Sequence, residues 1–105
     1  MYKQTVAAIS AGGKTSIQQL NNDYAFYWVK NVGEAAIYAT NEPFGDTPVS
    51  DMIAAYEAGS VINVVKIDAG EATRIDGHTN SLILFAAEAG LAEVHMVDMA
   101  ESPFV

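Results

Sequence analysis

The chain has 105 residues and a mass of 11.2 kDa, which sets a single domain, residues 1–105, as the expectation, because domains usually run to ~100–200 residues. Half of the residues are hydrophobic, which excludes intrinsic disorder. Five Lys and Arg against 13 Asp and Glu give a formal charge of −8, so nucleic acid and anionic membrane surfaces are not expected partners. The absence of Cys removes thiol nucleophiles, thiolate metal sites and disulfides.

The opening Met1 to Thr5 is polar and leads into the short apolar Val6 to Ile9, too brief for the core of a signal peptide. The longest apolar run, Leu82 to Ala87, falls far below the ~20 residues that span a bilayer. The chain is therefore expected to stay where it is made.

Val, Ile and Thr together number 24 against 4 Leu, and β-branched side chains fit pleated sheets better than helices. Alternation of apolar and polar residues predicts eight strands: Thr5–Ile9, Thr15–Leu20, Ala25–Asn31, Ala35–Thr40, Val61–Ile67, Ala72–Asp76, Ser81–Ala86 and Ala92–Val97. Asn31 to Glu34 and Asp76 to Asn80 read as hairpin turns. The stretch Asn41 to Val49 holds Pro43, Gly45 and Pro48 and reads as a loop. Ser50 to Ala58 reads as a short helix, capped by Ser50 or Asp51 ahead of Met52, Ile53 and Tyr56.

The chain repeats itself once. Residues 9–17, Ile-Ser-Ala-Gly-Gly-Lys-Thr-Ser-Ile, match residues 67–75, Ile-Asp-Ala-Gly-Glu-Ala-Thr-Arg-Ile, at five of nine positions. Each copy sets an apolar residue before an Ala-Gly step and Thr-x-Ile after it, which predicts strand, tight turn, strand, with Gly free to take positive φ. Further Ala-Gly steps at Ala58-Gly59 and Ala89-Gly90 also lie between apolar stretches. Short strands separated by recurring turns predict a sandwich or barrel.

Ala25 to Val29 and Leu82 to Ala86 are apolar on both alternating faces. One face packs the core; the other needs a cover, either the Asn41 to Ala58 segment or a second subunit. The reading adopted is a homo-oligomer, with a trimer as one candidate. Phe26, Trp28, Leu82, Leu84 and Phe85 are expected to hold the sandwich, and Tyr27, Phe44, Tyr56, Phe104 and Val105 are the interface candidates.

Little in the sequence points to catalysis. Asp76 precedes His78 by two residues and Glu93 precedes His95 likewise; residues i and i+2 share a strand face, and all four together are the set a metal-dependent enzyme would use. Without a third ligand implied for either pair, they read as ordinary surface groups, and neither metal nor cofactor is expected. No Gly-x-Ser-x-Gly elbow occurs. Gly12-Gly13-Lys14-Thr15 has the ending of a phosphate loop, but Ala8 stands where its first Gly belongs. Aromatic residues Tyr24, Trp28 and Tyr38 could stack on a sugar ring, so a small carbohydrate- or ligand-binding module is the alternative, with a glycan as its partner.

Four stretches carry a resemblance: Phe26-Tyr27-Trp28-Val29-Lys30-Asn31-Val32-Gly33, Ala36-Ile37-Tyr38-Ala39-Thr40-Asn41-Glu42-Pro43, Val65-Lys66-Ile67-Asp68-Ala69-Gly70-Glu71, and Leu82-Ile83-Leu84 with Gly90 and Glu93-Val94-His95. This ordered series resembles small β-sandwich accessory virion proteins of tailed bacteriophages and prophages, of the head-fibre or decoration type. The resemblance spans roughly residues 24–97. This chain differs in carrying Ile83 where an aromatic is usual and in inserting Ser50 to Ala58. The resemblance implies an all-β, antiparallel, jelly-roll-like sandwich, a non-enzymatic structural role, other virion proteins as partners, and residence in the virion after synthesis in the host cytoplasm.

Overall fold

The computed structural model describes residues 2–18, 26–61, 63–76 and 81–97. Eight strands and one helix follow in order: β1 (Tyr2–Ile9), β2 (Lys14–Gln18), β3 (Phe26–Asn31), β4 (Ile37–Thr40), α1 (Val49–Glu57), β5 (Val64–Ile67), β6 (Ala72–Asp76), β7 (Ser81–Phe85) and β8 (Gly90–Val97). The strands form two four-stranded antiparallel sheets, ordered β1-β8-β3-β6 (sheet A) and β2-β7-β4-β5 (sheet B). Pairing is nested: β1 with β8, β2 with β7, β3 with β6, β4 with β5. The chain is thus one long antiparallel ribbon folded over on itself, the jelly-roll arrangement of an all-β sandwich.

Period-two alternation places one side of each sheet inward. Ile9, Tyr27, Val29, Ile75, Ala92, Val94 and Met96 of sheet A face Ile37, Ala39, Ile67, Leu82 and Leu84 of sheet B, forming the central core. Of the residues expected to hold the sandwich, Leu82 and Leu84 do so. Phe26 and Trp28 take the opposite face of β3, where both are half-buried. Tyr27, expected at an interface, is 0% exposed; it sits one residue out of phase with its aromatic neighbours and therefore belongs to the core.

The hairpin expectations are corrected. Asn31 to Glu34 leads from β3 in sheet A to β4 in sheet B; residues 77–80 lie outside the described residues, but β6 before them is in sheet A and β7 after them in sheet B. Neither pair of flanking strands forms a hairpin. The repeated nine-residue stretches also change sheets: the first carries the chain from β1 to β2, the second from β5 to β6. Gly12 and Gly70 occupy equivalent places in these corners at φ 68° and 82°, the left-handed region that glycine enters without steric cost. Each corner is closed by a backbone bond across the step, Gly13 N–H to Ser10 O at 2.9 Å and Glu71 N–H to Asp68 O at 3.0 Å. Ala58-Gly59 is different, for it ends α1 rather than joining strands.

Registers at Ile9↔Gly90, Lys30↔Ala72, Lys14↔Phe85 and Ile37↔Ile67 bring the short connections 10–13, 32–36, 68–71 and 86–89 to one end of the sandwich. Asn31 locks that end. Its buried side chain donates from Nδ2 to Ala35 O at 2.8 Å and to Ile67 O at 2.9 Å, and its Oδ1 accepts from Gly33 N–H at 3.0 Å. Its backbone N–H donates to Glu71 O and its carbonyl accepts from Gly70 N–H, both at 2.9 Å. Glu71 returns its Oε1 to the Asp68 N–H at 3.0 Å.

The helix lies where expected, displaced by one residue. Pro48 occupies the N-cap position and supplies no side-chain cap, which corrects Ser50 and Asp51 as caps. Proline presets φ near −65° at a helix start, and Asp51 in the first turn suits the helix dipole. Val49, Met52, Ile53 and Tyr56 follow the i, i+3, i+4, i+7 spacing of one helical face and pack on the outer side of sheet B.

Candidate functional site

The two outer faces of the sandwich are built differently. On sheet B, the surplus apolar side of β7 is covered by the chain itself. Ile83 and Phe85 join Tyr38, Val64, Val49 and Ile53 in a second cluster, with Phe44, Met52, Tyr56 and Val61 around it. The Phe85 ring stacks on Tyr38 at 5.3 Å and meets the edge of Phe44 at 5.1 Å, while Tyr56 meets Tyr38 edge-on at 5.5 Å. Lys14 fastens the loop: its Nζ donates to Gly45 O at 2.6 Å and lies 4.5 Å from the centre of the Phe44 ring. Phe44 and Tyr56, expected at an interface, thus act as clamps that hold the cover on sheet B, and both stay half-buried. Lys14 is on an edge strand rather than after a phosphate loop. For β7, a cover from the same chain replaces the second subunit.

Sheet A has no such cover among the described elements, because α1 is their one helix and it lies over sheet B. Backbone register orders the outer residues of sheet A in rows. Nearest the corner end, Ala8 pairs with Leu91, and the Val32 N–H donates to Leu91 O at 3.0 Å. Next come Val6, Glu93, Lys30 and Ala72, then Gln4, His95, Trp28 and Arg74. Val97, Phe26 and Asp76 form the last row. The face therefore grades from apolar and open to aromatic and enclosed: Val6, Val32 and Leu91 are 60%, 43% and 38% exposed, whereas His95 is 4% exposed.

At its centre His95 Nε2 donates to Glu93 Oε1 at 2.6 Å, and Gln4 Nε2 donates to the same oxygen at 3.1 Å. The i, i+2 spacing sets both on one strand face, but the expectation of ordinary surface groups is corrected for His95, which is buried beside Trp28 and bonded to Glu93. Asp76 does not join it, since β3 stands between β6 and β8 with Trp28 and Phe26 in the gap. No metal-competent cluster occurs among the described residues; His78 lies outside them. The sugar-stacking platform is likewise not assembled, for Trp28 is on the outside of sheet A and Tyr38 on the outside of sheet B, and Tyr24 lies outside the described residues. Phe104 and Val105 lie outside them too. Arg74 sits 4.8 Å from the Phe26 ring, a cation–π contact that ties edge strand β6 to β3.

Sequence reasoning missed Val6, Val32 and Leu91. Each is an unremarkable single residue on its own segment, and only the register of three strands makes them neighbours. A signal was present in parity: Val6 is out of phase with Ile9, and Leu91 with Val94, the inward residues of their strands.

The fold and the site define a jelly-roll protein with one outer face covered by α1 and its flanking loops and one that no described helix covers, apolar and exposed at its corner end. No family model and no curated protein matches the sequence. Three solved structures align with most of the chain. One is the X-ray structure of tomato aspermy virus, at 8% identity and TM-score 0.45, covering 99% of this chain and 81% of that one. The Yersinia pseudotuberculosis-derived mitogen aligns at 9% identity and TM-score 0.43, over 99% and 91% of the two chains. A Bacillus endospore appendage protein, from a family of disulfide-linked pili, aligns at 10% identity and TM-score 0.39, over 93% and 89%. At these identities and scores the likenesses assign neither a family nor a function to this chain. No helix among the described residues is long and apolar enough to cross a membrane.

Proposed function

We propose that this protein is a structural or accessory subunit of a bacteriophage particle, of the head-decoration or head-fibre type, that works by assembly and binding rather than by turnover. One observation carries this reading. Two of the stretches behind the virion resemblance, the strand ending Lys30-Asn31 and the Ile67-to-Glu71 turn, are a single structural unit, because Asn31 bonds Ile67 O, Gly70 and Glu71. The shared pattern is thus a clasp that fixes the end of a jelly roll, which supports kinship in architecture instead of chance agreement between scattered strings. A sandwich with exposed apolar residues at the corner end of one outer face suits a part that is stacked onto others. The rival glycan-binding module loses support from the separation of Trp28 and Tyr38 onto opposite faces. Immunogold labelling with antibody against the purified chain, applied to particles induced from a strain carrying the gene, tests the reading. Label on the particles is expected; antigen confined to the particle-free fraction would overturn it.

A further inference from the structure

We propose that the open face of sheet A, centred on Val6, Leu91 and Val32, is the surface through which copies of this chain associate. The inference rests on the assembly reading above and names its partner as a second copy of the same chain. Among the described residues four large apolar side chains stand exposed, and three of them are Val6, Val32 and Leu91; the fourth, Val65, is on edge strand β5 of the other sheet. Singly exposed apolar residues mean little, but a contiguous group on one face marks a contact surface.

Charge selects the partner. The outer face of sheet A carries Lys30 and Arg74 against Glu93 and Asp76, so its formal charge is zero. The full chain carries −8, and the remainder of the molecule therefore holds all of that excess. Two copies repel each other wherever that remainder meets itself, and least where these balanced faces meet. The opposite charges also let each face complement its own duplicate, as contacts between identical subunits require. A basic partner would instead be drawn to the rest of the surface. Size bounds the strength: four strands ~4.8 Å apart and up to eight residues long give roughly 400–500 Å² in flat projection, of which the part around His95 and Val97 is already buried. What is left is smaller than the ~800 Å² per partner of a standard stable interface and fits a weak, concentration-dependent association.

The test is sedimentation velocity of the full chain over a wide concentration range, with Val6→Arg, Leu91→Glu and Ala54→Arg. Ala54 is on the exposed side of α1, over the other sheet, and serves as the charge-matched control. Thermal unfolding of each variant confirms that it folds. Self-association of the wild type is expected, weakened at least tenfold by Val6→Arg and by Leu91→Glu and unchanged by Ala54→Arg. Association that survives both sheet A substitutions would overturn the choice of face, as would a wild type that stays monomeric at every concentration. The virion reading fails separately, by unlabelled particles, whatever the sedimentation shows.

Discussion

The outer sides of sheets A and B start from the same sequence feature and end differently. Strands β3 and β7 both carry apolar residues at successive positions, yet β7 is buried under α1 and its flanking loops, while β3 has Phe26 and Trp28 half-buried on a face that no described helix covers. A doubly apolar strand therefore announces that something must cover it without saying whether the cover is part of the chain. The answer lies in the connection. The segment between β4 and β5 is long enough to hold α1, whereas the connections at the opposite end are tight corners with nothing to spare.

The sharpest way to break this comparison is to truncate one ring on each face. Phe85→Ala removes a side chain 0% exposed and in contact with Tyr38 and Phe44, and a loss of ~3–5 kcal/mol in urea unfolding is expected. Trp28→Ala on the open face should cost less than half as much, because part of that ring is already in solvent. Equal losses would mean that the two faces are equally covered. Asn31→Ala comes next. It leaves the carbonyls of Ala35 and Ile67 without their donors; a buried group stranded in this way costs ~1–3 kcal/mol, and because the Ala35 bond is only part-buried a total loss of ~2–4 kcal/mol is expected. Asn31→Asp, which keeps the shape and the acceptor for Gly33 but removes both donors, should be nearly as damaging; a neutral result would show that the clasp does not hold the corner end. The smallest effects belong to the repeat. Gly12→Ala and Gly70→Ala each place a Cβ in the left-handed region, in open space, and should cost ~1–2 kcal/mol apiece. Similar values would confirm that the two nine-residue stretches are equivalent corners, and a clear difference would separate them.

Alternation and glycine position made the strands, the helix and the sandwich class legible, because both are local: parity follows from the pleat and positive φ from the absent Cβ. Sheet membership was not legible. Ile9 to Ile17 reads equally well as a hairpin or as a corner, since the same turn serves both, and the partner of each strand is decided by residues far away, such as Gly90 for Ile9 and Ala72 for Lys30. The same cause hid the candidate face. Tyr27 drew notice as an aromatic beside Trp28 and proved to be core, while Val6 and Leu91, separated by most of the chain, became neighbours only through the β1–β8 ladder.

That ladder also governs how the molecule is made. Nested pairing means that β4 and β5 meet after closing only residues 41–63, whereas β1 and β8 meet only once residues 10–89 have been gathered between them. Closure entropy rises with the span enclosed, and topologies rich in distant contacts fold slowly. The inner hairpin can form early, but β8 has no β1 beside it until the outermost ladder closes, and the Val6, Val32 and Leu91 cluster does not exist before then. The face proposed for self-association needs both β1 and β8, so a chain that has not closed its outermost ladder cannot present it.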